Sequence, residues 1–439
     1  MGYRHRIVCG LGFGDEGKGS VTDFLCSRDS PDPAHAVVRF NGGGQAAHNV
    51  VTPDGRHHTF AQFGSGSFTP GVRTHLSRFM LVDPLALAAE AAHLASVGVG
   101  DALGRLSIDR DALLTTPYHR AANRARERAR GQDRHGSCGM GIGETARYAL
   151  ENPGDAPRVA DCSAPRALAR KLARLRDRLA AELGPLDAPG VPDVCDAYRA
   201  FAACVALVDG GYLRRLLRAG PVVFEGAQGV LLDEWHGFHP YTTWSTTTFA
   251  NAETLLAEAG ETAFRLGVVR SFLTRHGPGP FVTEDLTLEL PEPHNRYGAW
   301  QGSFRAGHLD AVALRYAIEV AGGVDALAVT HLDTAARSPL RLCRSYQAGG
   351  QRLTRIAPGP ERDLQRQERL TRMLLRARPV YEDPGQDWPG VIEEALGAPV
   401  ALRSYGPVRS DIRVAGKTLQ SATCVPCNRR QLRTPELLS

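Results

Sequence analysis

Short apolar runs rich in β-branched residues alternate along this chain with longer segments of helical periodicity. The runs are short enough to be buried strands and cover residues 7–9, 36–40, 222–224, 266–269 and 326–329. The helical segments cover residues 83–97, 165–183, 309–321 and 361–376. Strands that alternate with helices are joined by crossover connections. The pattern therefore predicts an α/β fold with a large, mostly parallel central sheet flanked by helices.

Composition excludes several classes of protein. With 43% hydrophobic and 23% charged residues among 439, the chain is not predominantly disordered. It has no apolar run of 18 residues and no signal-peptide pattern at its start, so we expect neither a membrane span nor export. Nine cysteines without framework spacing are typical of a reduced, cytoplasmic compartment. A net charge of +5 is too small to indicate a nucleic-acid partner.

A glycine-rich loop follows the first predicted strand. Residues 12–18 fit the pattern G-x-x-x-x-G-K, in which backbone N–H groups and a lysine bind phosphate oxygens. The usual Ser or Thr after the lysine is replaced by Gly19, and the loop contains Asp15 and Glu16. A carboxylate beside a triphosphate is repulsive unless it holds Mg²⁺ or transfers a proton. The alternative is a plain glycine turn that opens a helix, where two acids would have no purpose.

The loop at residues 14–19, Gly-Asp-Glu-Gly-Lys-Gly, resembles that of the adenylosuccinate synthetase family. Further segments similar to the family, in the family's order, are residues 38–48, 139–143, 224–229, 277–284, 307–310, 330–333, 379–382 and 406–407. The resemblance implies a fold related to P-loop-type GTP-binding proteins. Because parts of one site come from both ends of the chain, it also implies a single domain over residues 1–439 with interwoven subdomains.

The resemblance implies a GTP-dependent carbon–nitrogen ligase that uses Mg²⁺ and acts as a homodimer. In the family, GTP phosphorylates the 6-oxygen of IMP, and the amine of aspartate then displaces the phosphate. Asp15 would take the ring proton and bind Mg²⁺, which the backbone carbonyl of Ala47 would also contact. His48 would stabilise charge on the leaving GDP, and Gln228 would hydrogen-bond the oxygen that is phosphorylated.

The same resemblance implies the residues that bind each substrate. The GTP-binding set is Gly14, Asp15, Glu16, Gly17, Lys18, Gly19, Ser20, Ala47, His48, Asn49, Arg305, His331, Leu332, Asp333, Ser404, Tyr405 and Gly406. Asp333 would accept both N–H donors on one edge of guanine, with His331 in place of the family's lysine. The acceptor-binding set is Asp15, Lys18, Gln45, His48, Cys138, Gln228 and Thr243. The amine-donor loop consists of Trp300, Gln301, Gly302, Ser303 and Arg305.

The sequence departs from the family where the acceptor and the amine bind. Ser303 stands where the family has an arginine that grips the aspartate carboxylate. Cys138 and Met140 replace the threonine and arginine of the acceptor-phosphate segment. The later phosphate-binding arginine, which the partner subunit contributes in the family, falls at Asn152, so Arg147 or Arg158 would have to replace it. Two further changes near the nucleotides are Gln45 for an asparagine and Trp244 for a small residue.

Three functions remain open at this point. The first is a paralogue that keeps the phosphorylate-then-displace chemistry but uses another acceptor, another amine, or both. The second is an ordinary adenylosuccinate synthetase with compensating arginines. The third is a non-catalytic GTP-binding regulator, against which the retention of both Asp15 and His48 argues.

Overall fold

A computed structural model describes residues 4–131, 136–290, 300 and 302–416; the predicted loop residue Gln301 lies outside them. The strands are β1 His5–Gly10, β2 Ala36–Arg39, β3 His48–Val51, β4 His57–Phe60, β5 Arg73–Leu76, β6 Leu81–Val82, β7 Leu106–Asp109, β8 Leu113–Leu114, β9 Ala206–Val208, β10 Val222–Gly229, β11 Ala263–Arg270, β12 Leu273–His276, β13 Phe304–Gly307, β14 Leu309–Asp310, β15 Ala326–Thr330, β16 Leu342–Ala348, β17 Gln351–Leu353, β18 Arg378–Glu382, β19 Val400–Ser404 and β20 Ile412–Val414. The helices are α1 Lys18–Cys26, α2 Pro84–Ser96, α3 Pro117–Arg130, α4 Ile142–Glu151, α5 Pro165–Leu183, α6 Val191–Ala202, α7 Gly211–Ala219, α8 Ala250–Ala259, α9 Ala311–Val320, α10 Leu332–Ala335, α11 Leu364–Leu374 and α12 Trp388–Leu396.

The main sheet has the strand order β20-β19-β15-β11-β1-β10-β2-β5-β7-β9. Its pairs are parallel except for β19 and β20 at one edge. Every residue of β1 is buried, because helices cover both faces of the sheet. The predicted α/β class and all five predicted strands are confirmed.

Two helices begin two or three residues later than the sequence predicts, and capping explains both differences. The segment predicted to be helical from residue 309 first forms β14, and α9 begins after Asp310, whose carboxylate accepts hydrogen bonds from the amides of Val312 and Ala313. The segment predicted from residue 361 begins as α11 after Asp363, which caps it through the amide of Arg366. Helix α5 has the predicted bounds.

The topology brings distant segments to one edge of the sheet. Strand β1 lies between β10 and β11, and the glycine-rich loop leaves its carboxyl end to enter α1. The segments that follow β2, β10 and β15 leave the same edge, because these strands are parallel to β1 or to its neighbours. Ligands of open parallel sheets bind at such an edge. In the described parts of the chain, no helix has the length and apolarity needed to cross a membrane.

Candidate active site

A cavity of about 810 Å³ lies at this edge of the sheet. The predicted residues that line it are Gly14, Asp15, Gly17, Lys18, Gly19, Ser20, Gln45, Ala47, His48, Asn49, Cys138, Gln228, Thr243, His331, Asp333, Ser404 and Gly406. The predicted residues outside its lining are Glu16, Leu332, Tyr405, Arg305, Trp300, Gly302 and Ser303. The structure thus brings together most of the proposed nucleotide and acceptor residues. The described residues of the amine-donor loop are outside the lining but adjoin it, since the amide of Gly277, between the lining residues His276 and Pro278, donates to the carbonyl of Ser303 at 3.0 Å.

Glu16 shapes the glycine-rich loop from inside. Its Oε1 accepts hydrogen bonds from the amides of Gly12, at 2.9 Å, and Gly14, at 2.8 Å. Its Oε2 lies 2.7 Å from Nζ of Lys18, and both side chains are buried. The sequence predicted a metal or proton role for the acids in this loop. The Glu16 carboxylate instead holds the loop backbone and the lysine.

Asp15 is the acid of this loop that faces the cavity. Its carboxylate lies 3.3 Å from Nε2 of His276. Burial opposes ionisation of Asp15, but the hydrogen bond and charge of His276, with the charges of Arg270 and Lys18, outweigh it and lower the pKa of Asp15. The carboxylate is therefore ionised near neutral pH, the state needed to accept a proton or to bind a hard cation.

His48 is held by a buried acid, Glu225, which lies in the family-like segment at residues 224–229 and had no predicted role. Its Nδ1 lies 2.7 Å from Oε1 of Glu225 on β10, and a carboxylate only accepts hydrogen bonds, so Nδ1 donates and Nε2 remains for a ligand. Ser65 donates its amide to Glu225 at 2.9 Å and also donates its hydroxyl. Burial lowers the pKa of His48 despite Glu225, so the ring is neutral. An acid in the middle of a buried strand was the available signal for this role.

Two glutamine side chains present unused polar atoms to the cavity. Both amide atoms of Gln45 and Oε1 of Gln228 are buried and have no hydrogen-bond partner among the described residues. Gln228 has φ +57°, an uncommon backbone conformation for a residue other than glycine. Buried polar atoms without partners cost free energy, so their presence in a cavity indicates a ligand.

The part of the cavity that is predicted to bind guanine begins directly after strand β15. The hydroxyl of Thr330 donates to the carbonyl oxygen of Glu16 at 2.7 Å, which joins this segment to the glycine-rich loop. His331 has φ +58° and contacts Phe272 edge-on, with ring centroids 5.5 Å apart. Burial, with the charge of Arg270, keeps the pKa of His331 well below its ordinary value, so this ring is also neutral.

The predicted amine-donor loop makes contacts outside the cavity. Trp300 lies under the guanidinium groups of Arg124 and Arg128, at 5.6 and 5.9 Å from the ring centroid. Arg305 lies 2.7 Å from a carboxylate oxygen of Glu284 and also donates to carbonyls of the 277–279 turn. Ser303 is exposed. Arg305 therefore pairs with Glu284 and holds the turn beside the cavity.

The two arginines considered for an acceptor phosphate differ in their position relative to the cavity. Arg147 lines the cavity, whereas Arg158 donates to the carbonyl of Asp111 at 2.5 Å and lies outside the lining. Asn152 accepts a hydrogen bond from Arg178 at 2.7 Å.

Gly229 leaves no room for a side chain where β10 meets the glycine-rich loop. A Cβ at this position would lie 2.2 Å from the carbonyl oxygen of Gly12. We expect Gly229→Ala to lower the free energy of unfolding by about 1–3 kcal/mol and to weaken GTP binding, since the loop backbone must move. Denaturant unfolding and GTP titration measure both effects. Gly100→Ala is the control, because a Cβ there meets open space; equal behaviour of the two variants would contradict this account.

The fold and the cavity define an α/β enzyme with a nucleotide-phosphate loop at the carboxyl edge of its sheet. The sequence profile of the adenylosuccinate synthetase family matches residues 7–413. The chain belongs to this family of GTP-dependent ligases that form carbon–nitrogen bonds. An adenylosuccinate synthetase of Alkalilimnicola ehrlichii is 34% identical over 449 aligned residues, which cover 95% of this chain and 99% of the relative. One of Mycobacterium leprae is 34% identical and covers 94% and 99%.

Solved structures agree on the fold. The fully ligated adenylosuccinate synthetase from Plasmodium falciparum has a TM-score of 0.78 at 22% identity, covering 94% of this chain and 100% of that one. A succinoaminodeoxyadenylate synthetase of cyanophage S-2L, bound to dGMP and to dATP as an energy donor, has a TM-score of 0.57 at 18% identity, covering 94% and 96%. The predicted family and fold are therefore confirmed.

Proposed function

We propose that this chain transfers the γ-phosphoryl group of GTP to a carbonyl oxygen of a purine-like acceptor, from which an amine then displaces phosphate. We further propose that the acceptor, the amine, or both differ from IMP and aspartate. The observation that supports this most is the contrast within the site. Asp15, Lys18, His48, Gln228 and Asp333 line one cavity, while the described amine-donor loop beside it carries Ser303 in place of an arginine.

In the proposed reaction Asp15 takes the ring proton of the acceptor. Loss of that proton places negative charge on the carbonyl oxygen, which then attacks the γ-phosphorus while the bond to the β-phosphate oxygen breaks. The side-chain amide of Gln228 has an unpartnered Oε1 at the cavity. The N–H groups of the same amide can donate to the carbonyl oxygen of the acceptor. Phosphorylation converts a poor leaving group into a good one, so the amine nitrogen can displace inorganic phosphate.

His48 faces the GDP that leaves in this scheme. Glu225 fixes Nδ1 of the ring, so Nε2 is directed by a rigid, buried pair of residues rather than by a mobile loop. The free ring is neutral, and the negative charge of bound phosphates would favour its protonation at Nε2. The protonated ring, paired with the Glu225 carboxylate, would then stabilise charge that develops on the β-phosphate.

The donor set fits Mg²⁺. Mg²⁺ prefers oxygen ligands, and Asp15 contributes a carboxylate with a lowered pKa, to which the carbonyl of Ala47 adds a second oxygen in our proposal. Mg²⁺ held by these residues would supply positive charge beside the phosphate oxygens of GTP. We also propose a homodimer in the cytoplasm, as the resemblance to the family implies.

A second candidate is adenylosuccinate synthesis from IMP and aspartate. Two relatives with that name, each 34% identical over nearly their whole length, favour it. The cyanophage protein, solved with dGMP and dATP, indicates that this fold also serves other nucleotides. The two candidates differ in substrates and share the phosphoryl-transfer step.

We expect Asp333→Asn to shift nucleotide preference from GTP toward xanthosine triphosphate. The carboxylate accepts two N–H donors of guanine, whereas an amide presents a donor to the xanthine oxygen. Asp333 now pairs with Arg337 at 2.7 Å, but that arginine is 70% exposed, so guanine can compete for the carboxylate. Competitive titration of the wild type and the variant with both nucleotides measures the shift. Wild-type protein that binds ATP as tightly as GTP would contradict the role of Asp333.

Positional isotope exchange tests the proposed phosphoryl transfer without knowledge of the amine. GTP labelled with ¹⁸O in the β,γ-bridge is incubated with Mg²⁺ and either IMP or inosine, and no amine is added. Reversible transfer to the acceptor frees the β-phosphate to rotate, so label should move from the bridge to non-bridging positions. A GTP-binding regulator predicts no movement of label with either acceptor, and that result would defeat the proposed function.

A further inference from the structure

One end of the cavity is lined by charged residues of α3 and α4 in near balance. Helix α3 contributes Arg126, Glu127 and Arg130, and α4 contributes Glu144 and Arg147. Three positive charges therefore face two negative ones. A site built for a phosphate dianion would be expected to present cations that are not already paired with carboxylates.

Each of these arginines is already engaged by a carboxylate. Nε of Arg126 lies 2.9 Å and Nη2 of Arg147 lies 3.0 Å from the two oxygens of Glu144. Nη1 of Arg130 lies 2.5 Å from Oε1 of Glu127. The Glu144 carboxylate, 9% exposed, thus stands between two arginines at the cavity wall.

Several polar atoms at this end have unused hydrogen-bonding capacity. Oε2 of the fully buried Glu127 has no hydrogen-bond partner in the described parts of the chain. Nε of Arg147 is a buried donor that has no hydrogen-bond partner among the described residues and is not part of that arginine's ion pairs. Trp244, which is 46% exposed, lines the same end and adds an apolar ring surface.

We propose that this end receives an uncharged, hydroxyl-bearing substituent of the acceptor, the sugar of a nucleoside, and that Glu144 determines this specificity. The proposal rests on the proposed function and names its acceptor class. Hydroxyl groups donate to carboxylate oxygens and accept from guanidinium N–H groups, which matches the mixed set of unused atoms. A phosphate dianion beside Glu144 and Glu127 would be repelled by both carboxylates. The exposed ring of Trp244 offers a face for the C–H groups of a sugar.

The test compares the affinities of inosine and IMP, measured by calorimetry in the presence of GDP and Mg²⁺. Wild-type protein should bind inosine more tightly than IMP. Glu144→Gln removes one negative charge and should shift the ratio of the two affinities toward IMP by about tenfold or more. Glu182→Gln is the matched control, because Glu182 pairs with the same Arg126 and Arg147 from outside the cavity lining and should leave the ratio unchanged.

Wild-type protein that prefers IMP would overturn this inference, and so would failure of both probes to bind. An affinity ratio that Glu144→Gln leaves unchanged, or that Glu182→Gln shifts equally, would also overturn it. If a variant fails to fold, the ratio of the inosine and IMP affinities of the wild-type protein still tests the inference. Failure of the proposed function is seen separately, as the absence of positional isotope exchange with either acceptor.

Discussion

Replacing Asp15 by asparagine is expected to lower acceptor-dependent phosphate release about 10²–10⁴-fold, the usual contribution of a general base. The amide has nearly the same shape as the carboxylate but cannot take the acceptor proton. It also withdraws a negative charge from the proposed Mg²⁺ ligand set. Steady-state phosphate release, with the acceptor that supports isotope exchange, measures the loss.

The Asp15→Asn variant should keep its fold, since the carboxylate is half-buried and its ion pair is with His276 at the cavity wall. Thermal unfolding close to that of the wild type is the check. Asp54→Asn is the matched control, because Asp54 is a 59% exposed acid in the turn between β3 and β4, outside the cavity lining. Full activity of Asp15→Asn would remove Asp15 from the mechanism.

Replacing Glu225 by glutamine is expected to lower both kcat and stability. The carboxylate accepts from three donors, namely Nδ1–H of His48 and the amide and hydroxyl of Ser65. A glutamine side chain turns one acceptor oxygen into a donor inside a fully buried site. Either that donor faces the amide of Ser65, or His48 must take the other tautomer, in which Nδ1 accepts and Nε2 carries the proton. We expect a loss of about 1–3 kcal/mol in the free energy of unfolding. We also expect kcat to fall about 10–100-fold, because His48 loses its orientation and its anionic partner.

Ser65→Ala separates these two effects. It removes the hydroxyl donor but keeps the Ser65 backbone amide and the pair of Glu225 with His48, so stability should fall while kcat changes little. Denaturant unfolding and steady-state turnover of both variants provide the comparison. If Glu225→Gln had wild-type kcat, the proposed positioning of His48 would be wrong.

The sequence predicted those elements whose local pattern matches their final environment. The runs at residues 7–9 and 222–224 are buried on both faces of the sheet, and continuous apolar character indicates such strands. The antiparallel pair β12–β13 was not predicted, because Arg275 and Arg305 interrupt its apolar pattern and are held by the 278–280 turn and by Glu284. The N-termini of α9 and α11 are each set by one capping acid, Asp310 and Asp363, and hydrophobic periodicity does not reveal such caps.

Site residues that are close in sequence could be predicted to lie together. Site residues that come from different strands could not be predicted as readily. Asp15 and Lys18 belong to one loop, so their common location follows from the sequence. Glu225 and His276 reach His48 and Asp15 only through strand order, which a single sequence does not give. The ion pair of Arg305 with Glu284 joins residues that are 21 positions apart, so the residues next to Arg305 do not predict it.

The most direct test of the central proposal is steady-state kinetics with GTP, Mg²⁺, IMP and aspartate, with release of phosphate and formation of adenylosuccinate both followed. The adenylosuccinate synthetase of Alkalilimnicola ehrlichii, assayed in parallel, supplies the reference kcat/KM. Loss of one charge-assisted contact from the amine subsite and one from the acceptor-phosphate subsite predicts a kcat/KM about 10²–10⁴-fold lower for this chain. Tight GTP binding with negligible adenylosuccinate is the result we predict. Adenylosuccinate formation as efficient as that of the relative would contradict the altered substrates and establish the ordinary reaction.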